Sequence, residues 1–492
     1  MTSSHDVLAA AAAGAALSPF ALLRREGADH LEVLTGSLTV VPRLADIPLP
    51  AVGPGPATLA LVPYRQLTER GFGCVDDGAP LECLRIAATG TLPLADALAA
   101  LPTDPPAVTG GRFDVSDAEY ADTVGAVLAG EIGRGEGANF VIHRAYEAAV
   151  TGPPLVSALA ALRRLLVGER GAYWTFLVHT GTRTLVGATP ERHVSVADGL
   201  VMMNPISGTY RHGPAGADAD ELLGFLADPK EIDELYMVLD EELKMMATVA
   251  DHGGQVVGPY LKQMAHLSHT EYLLAGRGSR DVREVLRETM FAPTVTGSPL
   301  ENACRVIARH ERRGRGYYGG VLALLGHDDE GRQTLDAPIL IRTAEISPDG
   351  RLRVPVGATL VRHSTTAGEV AETHTKAAGV LASLGVRPAA PTPTPAAPPL
   401  ADDPRVRAAL RARNAHLADF WLRDRGAEPT PVDPRLAGLR VLVVDAEDTF
   451  TGMLAHQLRG LGLAVTVRPW AAPGDSAPFD LVVPGPGPGD PG

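Results

Sequence analysis

The stretch "DPKEIDELYMVLDEELKMM", residues 228–246, sets a dense run of carboxylates beside a regular apolar pattern. Wound as a helix, it aligns Ile232, Leu235, Tyr236, Leu239, Leu243 and Met246 into one stripe. Asp233, Asp240, Glu241 and Lys244 are predicted to point the opposite way, to water. Glu231, Glu234 and Glu242 fall along one margin of the stripe. Glu231 and Glu234 are three residues apart, so they are neighbours on the helix surface and repel. On its own such a run reads as a solvated helix flank. A second, matching pair of carboxylates would make it half of a metal site.

That second pair lies in "TTAGEVAETHTKAAGVLASLG", residues 365–385. Glu369 and Glu372 are again three apart, and Lys376 follows four residues later. As a helix, the segment puts all three on one face. Two helices that each present paired carboxylates can converge on one hard cation. Ligands of oxygen alone, without histidine or cysteine, suit Mg²⁺ rather than zinc. The competing reading of Glu372 and Lys376 is a surface ion pair.

The surrounding chain has the composition of a soluble globular protein, with 492 residues, 45% hydrophobic and 21% charged. A net charge of −14 with no long basic run argues against nucleic acid or an anionic membrane as partner. Cys74, Cys83 and Cys304 show no CxxC spacing. They predict neither a zinc site nor a disulfide framework, and a reducing cytoplasm fits. The run "VLAAAAAGAALSPFALL" (7–23) lacks a basic start and is broken by Ser18-Pro19. It reads as a soluble helix rather than a signal peptide or a span.

Strand-like runs such as "AYWTFLVHT", "GVLALLG" and "APILIRTAEI" mix irregularly with helical patterns in the first four fifths of the chain, which predicts an α+β fold. The proline-rich "PAAPTPTPAAPP" (388–399) reads as an extended spacer. "PRVRAALRARNAHLADFWLRDRG" beyond it is predicted to be one connecting helix. "LRVLVVDAEDTFTGMLAHQLRGLGLAVTVRPW" and "FDLVVPG" then read strand, helix, strand, strand, the opening of a parallel α/β sheet. Three units are therefore expected, over 1–387, 388–437 and 438–492. The last is too short to close a doubly wound sheet and is expected to be the start of a longer domain. The glycine-rich "GRGEGAN" lacks GxGxxG spacing and is read as a loop.

Five further segments occur in order: "GATPERHVSV" (187–196), "NPISGTYRHG" (204–213), "TVTGSPLENACRVI" (294–307), "RGYYGGVLAL" (315–324) and "LIRTAEI" (340–346). With the two acidic helices they resemble the chorismate-utilising enzymes, the anthranilate and isochorismate synthase superfamily, over roughly residues 19–386. The nearest resemblance is to the phenazine-type 2-amino-2-desoxyisochorismate synthases. It implies a large chorismate-binding domain with a β-sheet core flanked by helices. The segments after the spacer resemble the start of a flavodoxin-like class I glutamine amidotransferase domain, carried by "VLVVDAEDTFT" and "PGPGPGDPG".

The resemblance implies specific roles. Glu231, Glu234, Glu369 and Glu372 would hold Mg²⁺ against the ring carboxylate of chorismate. Glu191, the glutamate of "TPE", would be the general acid that protonates the departing 4-hydroxyl. His266, in "MAHLSHTEYLL", matches a site histidine of the family. Ser207, Gly208, Thr209, Thr296, Tyr318, Arg342, Gly357 and Lys376 would contact substrate, with Arg342 the best candidate for a charge-assisted bond to a carboxylate.

The water-using relatives carry a lysine base in a segment like "GANFVIHR"; here Asn139 marks the nucleophile-access position. No lysine occurs in 130–144. Ammonia needs no such base, so an aminating enzyme is expected. Ser207 in "PISGT" stands where 4-aminodeoxychorismate synthases often carry a covalent lysine, which argues against that branch. "ALLRREG" (21–27) replaces the serine of the tryptophan-sensing "LLES" segment, which argues against tryptophan control.

The implied reaction is Mg²⁺-dependent amination of chorismate at C2 with loss of the 4-hydroxyl, feeding phenazine-like metabolism. Ammonia would come from glutamine in a full-length polypeptide, and a homodimer is expected. Anthranilate synthase, in which pyruvate elimination follows, is the alternative. A non-catalytic chorismate-binding subunit is disfavoured by the intact set of polar residues.

Overall fold

A computed structural model describes residues 4–14, 18–50, 53–213, 216–265, 267–387, 399–424 and 432–487. Most of the proline-rich spacer and the end of "PGPGPGDPG" lie outside the described residues.

The first 387 residues are α+β, as expected. Among the described residues, eighteen strands join in one connected sheet. One ladder pairs Asn139–Val150 antiparallel with Arg351–Val361, in unbroken register over eleven residues, so that Gly357 stands opposite His143. A second arm runs through Leu267–Arg277, which pairs with both Ile206–Arg211 and Gln255–Gln263.

The first acidic helix spans Pro229–Val249. Asp228 caps it by accepting a bond from Lys230 N, and Pro229 occupies the first turn, where its missing N–H costs nothing. Leu235, Leu239, Leu243 and Met246 bury the predicted stripe against Val194, Met203, Tyr272 and Leu274. Each fully buried leucine contributes about 2 kcal/mol. The second acidic helix, Thr366–Ser383, buries Ala377, Val380 and Leu381 against Leu352, Val354 and Val356 in a separate core. The two helices thus root in different halves of the sheet, with their acidic ends turned toward each other.

Three expectations are corrected. Glu241 and Lys244 do not face water: both are about 95% buried, Glu241 accepting from Ser298 Oγ at 2.6 Å and from Lys244 Nζ at 2.7 Å. Lys244 is covered by the C-terminal unit, whose Phe450 ring lies 4.4 Å from its Nζ and whose Met453 joins the core of the first acidic helix. "APILIRTAEI" is not one strand. Gln333–Pro338 ends and Thr343–Ile346 begins around Arg342, whose φ of +52° no strand residue adopts. The connecting helix is broken into Pro404–Ala412, a 3₁₀ turn at Arg413–His416 and Asp419–Leu422. Its breakage lets Asn414 bond both Tyr272 Oη and Gly258 O.

The C-terminal unit forms a three-stranded parallel sheet with Arg440–Asp445 between Ala464–Pro469 and Leu481–Pro484. This 2-1-3 order is the one with which flavodoxin-like sheets begin. Among the described residues no helix is long and apolar enough to cross a membrane.

Candidate active site

The two acidic helices, the Ile206–Arg211 strand and the Arg351–Val361 strand enclose one cavity. Glu191, Ser207, Gly208, Thr209, Glu231, Glu234, Tyr318, Arg342, Gly357, Glu372 and Lys376, all expected from the sequence, line it.

Glu191 sits in the turn between strands Thr184–Thr189 and Arg192–Ala197. Ile339 N anchors its carbonyl at 3.1 Å. Its side chain is buried, and Thr294 Oγ1 donates to Oε1 at 2.8 Å. Burial pushes its pKa up to about 8, against the opposing pull of the Thr294 bond and the Lys376 charge. The carboxyl therefore keeps its proton at neutral pH.

Ser207 Oγ donates to Glu234 Oε1 at 2.8 Å. Gly208 adopts φ +72°, and a Cβ there would come within 2.5 Å of Glu231 Oε2. Glycine is thus required twice over, by backbone and by the glutamate beside it. Gly357 plays a similar part: a Cβ would sit 2.4 Å from Tyr318 Oη.

The carboxylates form a mutually repelling set. Burial and the Glu234 charge raise Glu231 to about 7, burial and the Glu372 charge raise Glu369 to about 7, and burial with Glu372 raises Glu234. Glu369 does not line the cavity; it lies behind, with Lys230 Nζ 3.7 Å from its Oε1. Lys376 Nζ is 2.6 Å from Glu372 Oε1, and this pair holds Glu372 below the usual carboxylate range despite its burial. Four carboxylates thus face two ammonium groups. Arg211 and Arg342 line the same cavity, and Glu231 Oε2 and Glu369 Oε2 are buried without a hydrogen-bond partner.

Among the described residues no three such side chains already stand in a metal-holding group. The oxygen-only donors, their mutual repulsion and the two orphaned oxygens nonetheless fit a hard divalent cation.

Two of the expected residues lie outside the lining. Thr296 is absent from the lining, because its hydroxyl turns inward to Ala292 O at 2.8 Å. Thr294, two residues earlier in the same turn, faces Glu191 instead. Asn139 is fully buried where its strand pairs with Ser298 and Val361, outside the lining.

His266 lies outside the described residues. The histidine that lines the cavity is His269. Its Nδ1 donates to Gly208 O at 2.7 Å, which leaves Nε2 as an unpartnered buried acceptor. Burial, assisted by the Arg342 charge, pushes its pKa down to about 3, so the ring is neutral. Lys230, Arg211 and Thr359 complete the polar lining that the sequence reading missed.

The model of the chorismate-binding enzymes matches residues 88–382. An "Anthranilate synthase, phenazine specific" of Pseudomonas fluorescens is 53% identical over 480 residues, covering 96% of this chain and 74% of that protein. The protein of the same description from Pseudomonas chlororaphis is 52% identical, with the same coverage. Among solved structures, the menaquinone-specific isochorismate synthase of Escherichia coli superposes with a TM-score of 0.62 at 20% identity, over 78% of this chain and 92% of that one. Anthranilate synthase component I of Streptococcus pneumoniae gives 0.57 at 21% identity, over 74% and 91%. These two likenesses carry the fold.

Proposed function

Because this chain belongs to the chorismate-binding enzyme family, we propose that it aminates chorismate at C2 and expels the 4-hydroxyl, giving 2-amino-2-desoxyisochorismate and water. The observation that carries the reading is Glu191, its pKa raised by burial, in a cavity that also holds Arg342 and Lys376.

In this reading Arg342 and Lys376 bind the substrate's carboxylates. Hydroxide is a poor leaving group, so Glu191 delivers its proton to the 4-hydroxyl oxygen as the C4–O bond breaks. The ring double bond shifts and ammonia forms the new bond at C2. The aminating nitrogen then sheds one proton, which restores Glu191 and balances the step. Thr294 holds Oε1 of Glu191, which directs the proton to Oε2. Glu231, Glu234, Glu369 and Glu372 would hold Mg²⁺, which when bound neutralises substrate charge and fixes the ring. The absence of lysine in 130–144 supports ammonia rather than water as nucleophile.

The C-terminal α/β unit is read as the opening of a glutamine amidotransferase domain, which would supply the ammonia. The reaction is assigned to the cytoplasm and to a homodimer. Chorismate consumption that requires both ammonium and Mg²⁺ is the expected result; consumption independent of ammonium overturns the amination.

One observation favours a second reading, anthranilate synthesis. Eliminating pyruvate requires a base to remove the C2 proton, and neutral His269 presents an unpartnered Nε2 to the cavity. The two Pseudomonas relatives, which bear the name anthranilate synthase, point the same way.

A further inference from the structure

A second cavity of about 560 Å³ opens beside the first and shares two of its lining residues, Arg211 and Arg342. Its walls are the end of the Pro154–Gly168 helix and the outer face of the second acidic helix. Arg163, Arg164 and Arg387 stand around it. Five arginines therefore surround a space with one carboxylate, Glu169, in a chain whose net charge is −14. Arg163 and Arg164 donate to backbone carbonyls, Leu98 O at 3.3 Å and Ala382 O at 3.0 Å, acceptors that carry no formal charge. Leu165, Met264 and Leu267 give the same cavity an apolar floor.

We propose that this arginine-rimmed cavity is the vestibule through which an alicyclic dicarboxylate reaches the active site, passed inward by Arg211 and Arg342; the identity of that substrate rests on the function proposed above. Three features support it. The bulk of the protein repels a dianion, so a local positive funnel is the route by which one is concentrated. The apolar floor suits a carbon ring with carboxylates at its rim better than a phosphate, which has no apolar face. Arg342 belongs to both spaces electrostatically: buried, it is acted on by Glu169 on the vestibule side and by Glu372 and Glu191 on the other. Its φ of +52° holds it at the boundary in a conformation that non-glycine residues seldom take.

Arg163 and Arg387 lie outside the active-site lining, so they can be changed without touching the chemistry. The test is steady-state kinetics of the R163Q/R387Q variant and of R387E alone, with chorismate, Mg²⁺ and ammonium, at low and high salt. The expected result is an unchanged kcat with kcat/KM lowered about three- to tenfold at low ionic strength in both variants. The difference should close near 1 M salt, where the screening length is about 3 Å. Both variants should melt with the parent.

Equal kcat/KM and equal salt dependence in parent and variants would overturn the vestibule while leaving the reaction intact. Salt-sensitive chorismate binding by calorimetry, weakened in the variants but without turnover in the parent, would support the vestibule and overturn the reaction. A parent that neither binds nor consumes chorismate would overturn both.

Discussion

Thr294 Oγ1 donates a 2.8 Å hydrogen bond to Glu191 Oε1 inside a cavity where burial has already raised the Glu191 pKa to about 8. The bond opposes burial, since a donor favours the ionised carboxylate. Glu191 is an acid only while protonated, so kcat should be flat near neutrality and fall as pH rises through about 8. Thr294→Val removes the bond that lowers the pKa, so the alkaline limb should move to higher pH. Glu191→Gln should lower kcat by roughly 10²–10⁴ with chorismate binding retained. A pH–rate series on the three proteins checks all of this.

Gly357→Ala places a methyl 2.4 Å from Tyr318 Oη and 3.0 Å from Val141 Cγ1. The tyrosine cannot retreat easily, because its ring is stacked on His143 at 5.3 Å. The variant should lose about 1–3 kcal/mol of stability by overpacking. It should also raise KM for chorismate, as the displaced ring enters the cavity. Denaturant titration and steady-state kinetics measure the two effects separately.

Removal of Mg²⁺ with a chelator should abolish turnover, and its return should restore it. Glu234→Gln should raise the Mg²⁺ concentration needed for half-maximal rate at unchanged secondary structure. If instead the variant and parent share one Mg²⁺ dependence, Glu234 holds no metal.

Glu311 accepts from Arg315 at 2.6 Å and lies 2.7 Å from His143 Nδ1, all three side chains buried. The Arg315 charge, then His143, holds Glu311 down to about 2 despite its burial. Its contribution to stability is therefore complete above the ordinary carboxylate range and is lost as pH falls toward 2. Glu311→Gln leaves the Arg315 charge buried and unpaired, and should cost about 3–5 kcal/mol at neutral pH. The gap between parent and variant should narrow on acidification, as read by unfolding midpoints across pH.

Much of the site was legible because it lies on regular elements. The three-residue spacing of Glu231 and Glu234, and of Glu369 and Glu372, survives folding as two facing helix margins. What was illegible depends on tertiary contact. Glu241 and Lys244 looked solvated because periodicity cannot see Ser298, which bonds the first, or the C-terminal unit packed on the second. Thr294 was not singled out, because a turn, unlike a helix, has no period from which to read which hydroxyl faces inward. His269 carried no signal of its own; only the fold brings its Nδ1 to Gly208. The break at Arg342 was hidden within an apolar run, where nothing in composition announces a positive φ.

The central claim is amination of chorismate at C2, and product analysis by liquid chromatography and mass spectrometry after incubation with chorismate, Mg²⁺ and ¹⁵N-ammonium tests it most directly. The account predicts a ¹⁵N-labelled product that retains the enolpyruvyl group. Labelled anthranilate with pyruvate would keep the amination and add the elimination step through the second reading. An unlabelled isochorismate product, or chorismate recovered unchanged, would contradict the account.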